Sequence, residues 1–124
     1  MRVPLGTISH FGLPVRDPIA SAQWWESNFE VERLFEFEEG ICVAGPHVML
    51  MLRRGTPSPE TLGHMGFNVA DLAALRSALS ILGQHGVDLE DPGDEIGPVG
   101  KGSSSMGLWF HDIDGYRWEL FVRG

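Results

Sequence analysis

Three side chains have the types and placement from which a metal centre is built: His10, His64 and Glu119. Two imidazoles and one carboxylate, with water or substrate at the open positions, suit a divalent first-row metal. The histidines open two versions of one segment. His10 to Asp17 reads H-F-G-L-P-V-R-D and His64 to Asp71 reads H-M-G-F-N-V-A-D, so the pattern returns 54 residues later, from position 10 to position 64. A repeat of nearly half the chain suggests a duplicated module. Each histidine is followed two residues on by a glycine, Gly12 or Gly66, which leaves space beside the imidazole that a purely structural interior would fill. Glu119 stands in R-W-E-L-F-V, where Trp118, Leu120 and Val122 share one strand face and Glu119 and Phe121 the other. A carboxylate in so apolar a strand is costly unless it is paired or bound to a metal. Pairing with Arg117 or Arg123 is the structural alternative. For either histidine alone, a hydrogen-bonded core imidazole is the simpler reading; the repeat and Glu119 together favour ligation.

The elements that must position these residues follow from periodicity and breakers. The spacing predicts a strand over 8–16, with Phe11, Leu13 and Val15 on one face and His10, Gly12 and Pro14 on the other. Asp17 caps a helix with Pro18 at its first position, running to about Asn28 with Ile19, Ala22, Trp25 and Phe29 at helical spacing. Strands are expected over 32–37, 41–44 and 48–53, separated by Glu39-Gly40 and Gly45-Pro46. Residues 55–62, which include G-T-P-S-P-E-T, read as a linker. The order then repeats. A strand over 63–70 leads to Asp71 as helix cap, then to a helix striped by Leu72, Leu75, Leu79 and Leu82. A short strand over 87–90, a Gly/Pro/Ser loop over 91–105, and a hairpin from Met106 to Arg123 around Asp112-Ile113-Asp114-Gly115 complete the chain. The expected class is α+β: two βαβββ modules, residues 1–54 and 63–124, forming a curved mixed-sheet half-barrel with a cleft.

Bulk composition excludes several functions. The 124 residues carry a formal net charge of −8, Lys101 is the single lysine, and Arg53-Arg54 is the one basic pair. Nucleic-acid binding needs clustered cations to neutralise phosphates, so it is not expected. Cys42, the only cysteine, allows no intrachain disulfide and reads as a buried, inert thiol. The longest apolar run, Val48 to Leu52, is far too short to cross a membrane, and the first residues lack a signal-peptide pattern. A cytoplasmic location is the expectation.

The two repeated segments and G-L-W-F-H-D-I-D-G-Y-R-W-E-L (Gly107 to Leu120) together resemble the vicinal oxygen chelate superfamily, which includes glyoxalase I, extradiol dioxygenases, fosfomycin resistance thiol transferases and bleomycin resistance proteins. The resemblance implies metal ligands on the first and last strands of each module, which carry over onto His10, His64 and Glu119. It further implies a divalent ion (Fe, Mn, Ni, Zn or Co), a small substrate chelating it through two oxygens, Glu119 as a labile ligand and base, and a homodimer. Matching Met49–Arg53 to Glu119–Arg123 puts Met49 at the fourth family position, which leaves three protein ligands. Trp109 occupies the place of the extradiol tyrosine and Ile113 that of a proline; no histidine lies between Gly86 and His111. Lys101-Gly102-Ser103-Ser104-Ser105 stands where thiol transferases carry a cation loop, without its acidic residue. Met49, Met51, Trp109 and Phe121 are expected to line an apolar substrate pocket. The alternative is a metal-free protein that sequesters a small molecule or drug in the same cleft.

Overall fold

A computed structural model describes residues 1–124. The chain forms two compact units, Met1–Pro57 and Ser58–Gly124. The first contains β1 (His10–Val15), α1 (Pro18–Asn28), β2 (Glu32–Phe37), β3 (Gly40–Ala44) and β4 (Met49–Arg54). Its sheet runs β1-β4-β3-β2, with β1 and β4 parallel and the other neighbours antiparallel. The second contains α2 (Pro59–Leu62), β5 (His64–Asn68), α3 (Leu72–Gln84), β6 (Asp88–Leu89), β7 (Ile96–Pro98), β8 (Met106–His111) and β9 (Arg117–Val122). Its sheet runs β5-β9-β8-β6, with β7 also pairing β8 and with β5 and β9 parallel. The architecture is thus α+β, with one mixed sheet per unit.

The aspartate that ends each repeated segment does the same work twice. Asp17 Oδ1 accepts from the backbone N–H of Ile19 at 3.0 Å, and Asp71 Oδ1 accepts from that of Ala74 at 2.8 Å. Each satisfies a donor that the first turn of its helix leaves open, a contribution of about 1 kcal/mol. The helix that follows carries the chain across its sheet, so the first strand pairs in parallel with the last. That crossover sets each repeat histidine beside the strand that closes its unit.

Alternation then sorts the faces. In the first unit, Leu13, Val15, Leu50, Leu52, Ile41 and Val43 are buried, with Ala22 and Trp25 of α1. In the second, α3 packs on β8 and β9, where Leu75, Leu82, Leu108, Phe110, Trp118 and Leu120 form the core. Phe67 stacks on Trp118 at 5.1 Å between centroids. Each fully buried large apolar side chain stabilises by roughly 1.5–3 kcal/mol.

Four details depart from the sequence reading. Ile19 is exposed, and α1 buries Pro18, Ser21, Ala22 and Trp25 instead. Phe29 does not extend the helix but caps its end, donating its N–H to the Trp25 carbonyl. The expected linker contains the short helix α2. The expected 91–105 loop contributes β7, whose Ile96, Gly97 and Pro98 pair with Leu108, Gly107 and Met106. Gly/Pro-rich composition concealed that strand, which is only three residues long and lies on the side of β8 away from β9.

Candidate functional site

The hairpin of β8 and β9 is fixed by its turn. Asp112 Oδ1 accepts from the N–H groups of Asp114 (2.9 Å) and Tyr116 (3.0 Å), while Oδ2 accepts from Trp118 Nε1 at 2.9 Å. Gly115 takes φ = 87°, a conformation that favours glycine, and donates to the Asp112 carbonyl. The Asp112 carboxylate therefore shapes the turn. Burial pushes the Asp112 carboxyl above its ordinary value, against the lowering effect of its hydrogen bonds.

With that register set, Trp109 lies directly opposite Glu119, and Gly107 opposite Phe121. On the other side of β9, His64 aligns with Arg117 and Gly66 with Glu119. Gly66, Gly107, Trp109, Glu119 and Phe121 thus fall on the sheet face opposite the α3 core, with His64 and Arg117 on the same side.

Glu119 is the chemical centre of this face. It is only 8% exposed, and its Oε2 is buried without a hydrogen-bond partner. The carboxylate sits between two glycines. A Cβ at Gly66 would lie 3.6 Å from Oε1, whereas one at Gly107 would lie 2.6 Å from Oε2. Desolvation raises the Glu119 pKa, opposed by the positive charge that His64 and Arg117 can supply. The expected alternative partner is engaged elsewhere: Arg117 donates Nε and Nη2 to Glu90 at 2.8 and 2.9 Å. A buried acceptor with an unfilled lone pair, and space kept for it by glycine, fits a cation-binding role.

His64 is exposed, and its ring packs against Trp109 at 4.8 Å between centroids and a steep 75°. No protein group hydrogen-bonds its nitrogens. His10 is likewise exposed, with Ser9 Oγ 2.7 Å from Nδ1. It aligns with Met49 on β4, and Gly12 aligns with Met51. Met49 and Met51 are half-buried on the His10 side of the first sheet; Trp109 and Phe121 are half-buried on the Glu119 side of the second. Each unit thus brings together its own share of the expected residues.

The registers correct one equivalence. In the second unit, Glu119 aligns with the glycine two residues beyond the histidine. In the first unit that place belongs to Met51, not Met49. Matching the strand ends by sequence slid the comparison two residues, because Leu-Met-Leu and Leu-Phe-Val look alike in either frame. The conclusion drawn from it is unchanged: the first unit offers a thioether where the second offers a carboxylate.

The sequence matches the Glyoxalase/Bleomycin resistance protein/Dioxygenase superfamily over residues 7–120. The chain belongs to this superfamily. Its fold is shared by the fosfomycin resistance protein FosX of Listeria monocytogenes (TM-score 0.78, 15% identity, covering 98% of this chain and 96% of that one). The lactoylglutathione lyase of Agrobacterium tumefaciens is similar (TM-score 0.76, 17% identity, 97% and 96% covered), as is the oxidase ChaP-H2 (TM-score 0.72, 22% identity, 96% and 94% covered). No curated protein sequence matches the chain significantly.

Against the expectations for a superfamily member, two residues were missed. Glu90 closes the short strand region after α3 and gathers Arg117 and His111, the latter through Nε2 at 3.0 Å. Both ion pairs pull its carboxyl below the ordinary range, Arg117 the more strongly. Pairing of 87–90 with the final hairpin was the available signal, since it sets Glu90 beside Trp109, whose carbonyl accepts the Glu90 N–H. Gly107 was the second. Its role is visible only once the hairpin register places it beside the carboxylate. His47 and His85 are exposed, Cys42 is buried with its thiol pKa raised by desolvation, and no helix is long and apolar enough to cross a membrane.

Proposed function

We propose that this superfamily member is a metal-dependent enzyme that holds a divalent ion through His64 and Glu119, with His10 as the third ligand, and acts on a small substrate bearing two neighbouring oxygens. The observation that carries the reading is the buried, unpartnered Oε2 of Glu119, kept in place between Gly66 and Gly107. When bound, the ion supplies Lewis-acid stabilisation of negative charge on a substrate oxygen.

The chain's own groups do the rest. The Glu119 carboxylate is the candidate base, because burial lets Oε2 hold a proton more readily than an ordinary carboxylate does. Trp109 and Phe121 flank it with apolar surface that limits water around the reacting atoms. Met49 and Met51 are proposed as further substrate-pocket residues, with a methionine in place of a fourth ligand. Homodimerisation is part of the proposal and is read directly from the mass in solution.

One observation favours a second reading, a metal-free binder of small molecules: the structure holds no group of three His, Cys, Asp or Glu side chains placed to hold a metal ion. Titration of the metal-free chain with Co2+, Ni2+, Mn2+ and Zn2+, followed by a screen of diols, 2-oxoaldehydes and epoxides, separates the two. Saturable metal binding that is lost in Glu119→Gln, together with metal-dependent turnover, supports the enzyme. Ligand binding by wild type that is indifferent to metal and to Glu119→Gln supports the binder and rejects the enzyme.

A further inference from the structure

A metal-bound histidine ordinarily donates its second ring N–H to a carboxylate, carbonyl or water, and that bond fixes the ring. His64 has no such protein partner. It has instead an aromatic edge, and that edge is itself held. Arg117 lies over the Trp109 ring with its guanidinium carbon 3.8 Å from the centroid. The guanidinium is gripped by both oxygens of Glu90, and Glu90 Oε1 also meets His111 Nε2 at 3.0 Å. The pieces are of the strong kind: a bidentate carboxylate fork, a cation over an indole face, and a steeply angled ring pair. They form a chain of contacts from Glu90 through Arg117 of β9 and Trp109 of β8 to His64 of β5.

We propose that Glu90, Arg117 and Trp109 are positioning residues that fix the His64 imidazole by ring packing, in the role a hydrogen-bonding carboxylate plays at other histidine sites. The inference deepens the metal reading and rests on it for its purpose. Glu90 orients the guanidinium, the guanidinium holds the indole, and the indole confines the imidazole. Lysine cannot substitute for Arg117, because an ammonium has no planar fork to satisfy two carboxylate oxygens while covering a ring.

Two readouts on the full chain test this. In the metal-free protein, the carbon-bound ring protons of His64 carry a ring-current displacement from Trp109. Glu90→Gln and Arg117→Lys, two routes to the same loosening should either fold poorly, are expected to move these signals toward the position of a free imidazole. Signals unchanged in both variants overturn the proposal. In the second readout, Co2+ absorption gives the affinity. Glu90→Gln and Arg117→Lys are expected to weaken it about tenfold, and Trp109→Phe to restore most of what Trp109→Leu loses. Affinity equal to wild type in both variants overturns the proposal. Should the wild-type chain bind no Co2+, the metal reading falls, and the ring-proton shifts alone decide whether Glu90 positions His64.

Discussion

Gly107 makes room for Glu119: a Cβ at position 107 would stand 2.6 Å from Glu119 Oε2 and 2.9 Å from Val99 Cγ1. The carboxylate therefore depends on a missing methyl group on the neighbouring strand. Gly107→Ala is expected to destabilise the chain by roughly 1–3 kcal/mol, the usual range for overpacking, and to weaken metal binding by displacing the carboxylate. Gly66→Ala, whose Cβ would meet Oε1 at an ordinary 3.6 Å, should be far milder in both respects. Urea denaturation and metal titration of the two variants side by side check the contrast; equal effects would show that the cradle does not hold Glu119.

Glu119 itself should cost stability in the metal-free protein. Burial raises its folded pKa above the ordinary 4.5, so the folded state holds that proton more tightly than the unfolded chain does. The sign follows: its contribution is most favourable below the unfolded value and declines as pH rises through the folded value. Metal-free Glu119→Gln is therefore expected to be more stable than wild type at pH 7, by about 1 kcal/mol, with the gap closing toward pH 4. Thermal melts across that range, in the presence of a chelator, check this. A lower melting temperature for the variant at pH 7 would mean that the carboxylate has a partner in solution.

Glu90 has the opposite sign. Its folded pKa is lowered, chiefly by Arg117 and further by His111, so its stabilisation is present above the ordinary 4.5 and is lost as pH falls through the folded value. Wild type should lose melting temperature on acidification over that window, and Glu90→Gln should begin lower and fall less. Parallel curves for the two proteins would show that the cluster contributes nothing measurable.

The hairpin turn is the structural counterpart. Asp112→Ala leaves Trp118 Nε1 and the N–H groups of Asp114 and Tyr116 without their acceptor. A loss of roughly 2–4 kcal/mol is expected from removing three hydrogen bonds of this buried turn at once. Asp112→Asn should recover part of it, because its amide oxygen still accepts. Denaturant titration distinguishes this from a ligand role, since metal affinity per folded chain should be unaffected.

Much of this was legible in the sequence, for particular reasons. The repeated segment announces both first strands and both capped helices, because Asp17 and Asp71 must do the same local work. Glu119 stood out because a carboxylate in an apolar strand requires an explanation. What stayed hidden depends on pairing between segments far apart. Met51 rather than Met49 corresponds to Glu119, and only the strand registers show it. Glu90 and Gly107 matter through neighbours that belong to other strands, which no periodicity within their own segment records.

The corrected register carries its own prediction. If Met51 takes the fourth family position, Met51→Glu should strengthen metal binding by about tenfold, while Met49→Glu should not. Equal behaviour of the two variants would remove the functional meaning of the equivalence.

The central claim is that the chain binds metal through His10, His64 and Glu119. Elemental analysis of protein purified without chelators, after addition of a divalent ion and removal of the excess, addresses it most directly. About one ion per wild-type chain is expected, with loss of binding in His10→Ala, His64→Ala and Glu119→Gln that remain folded. A wild-type chain that retains no metal, or variants that retain as much as wild type, would contradict it.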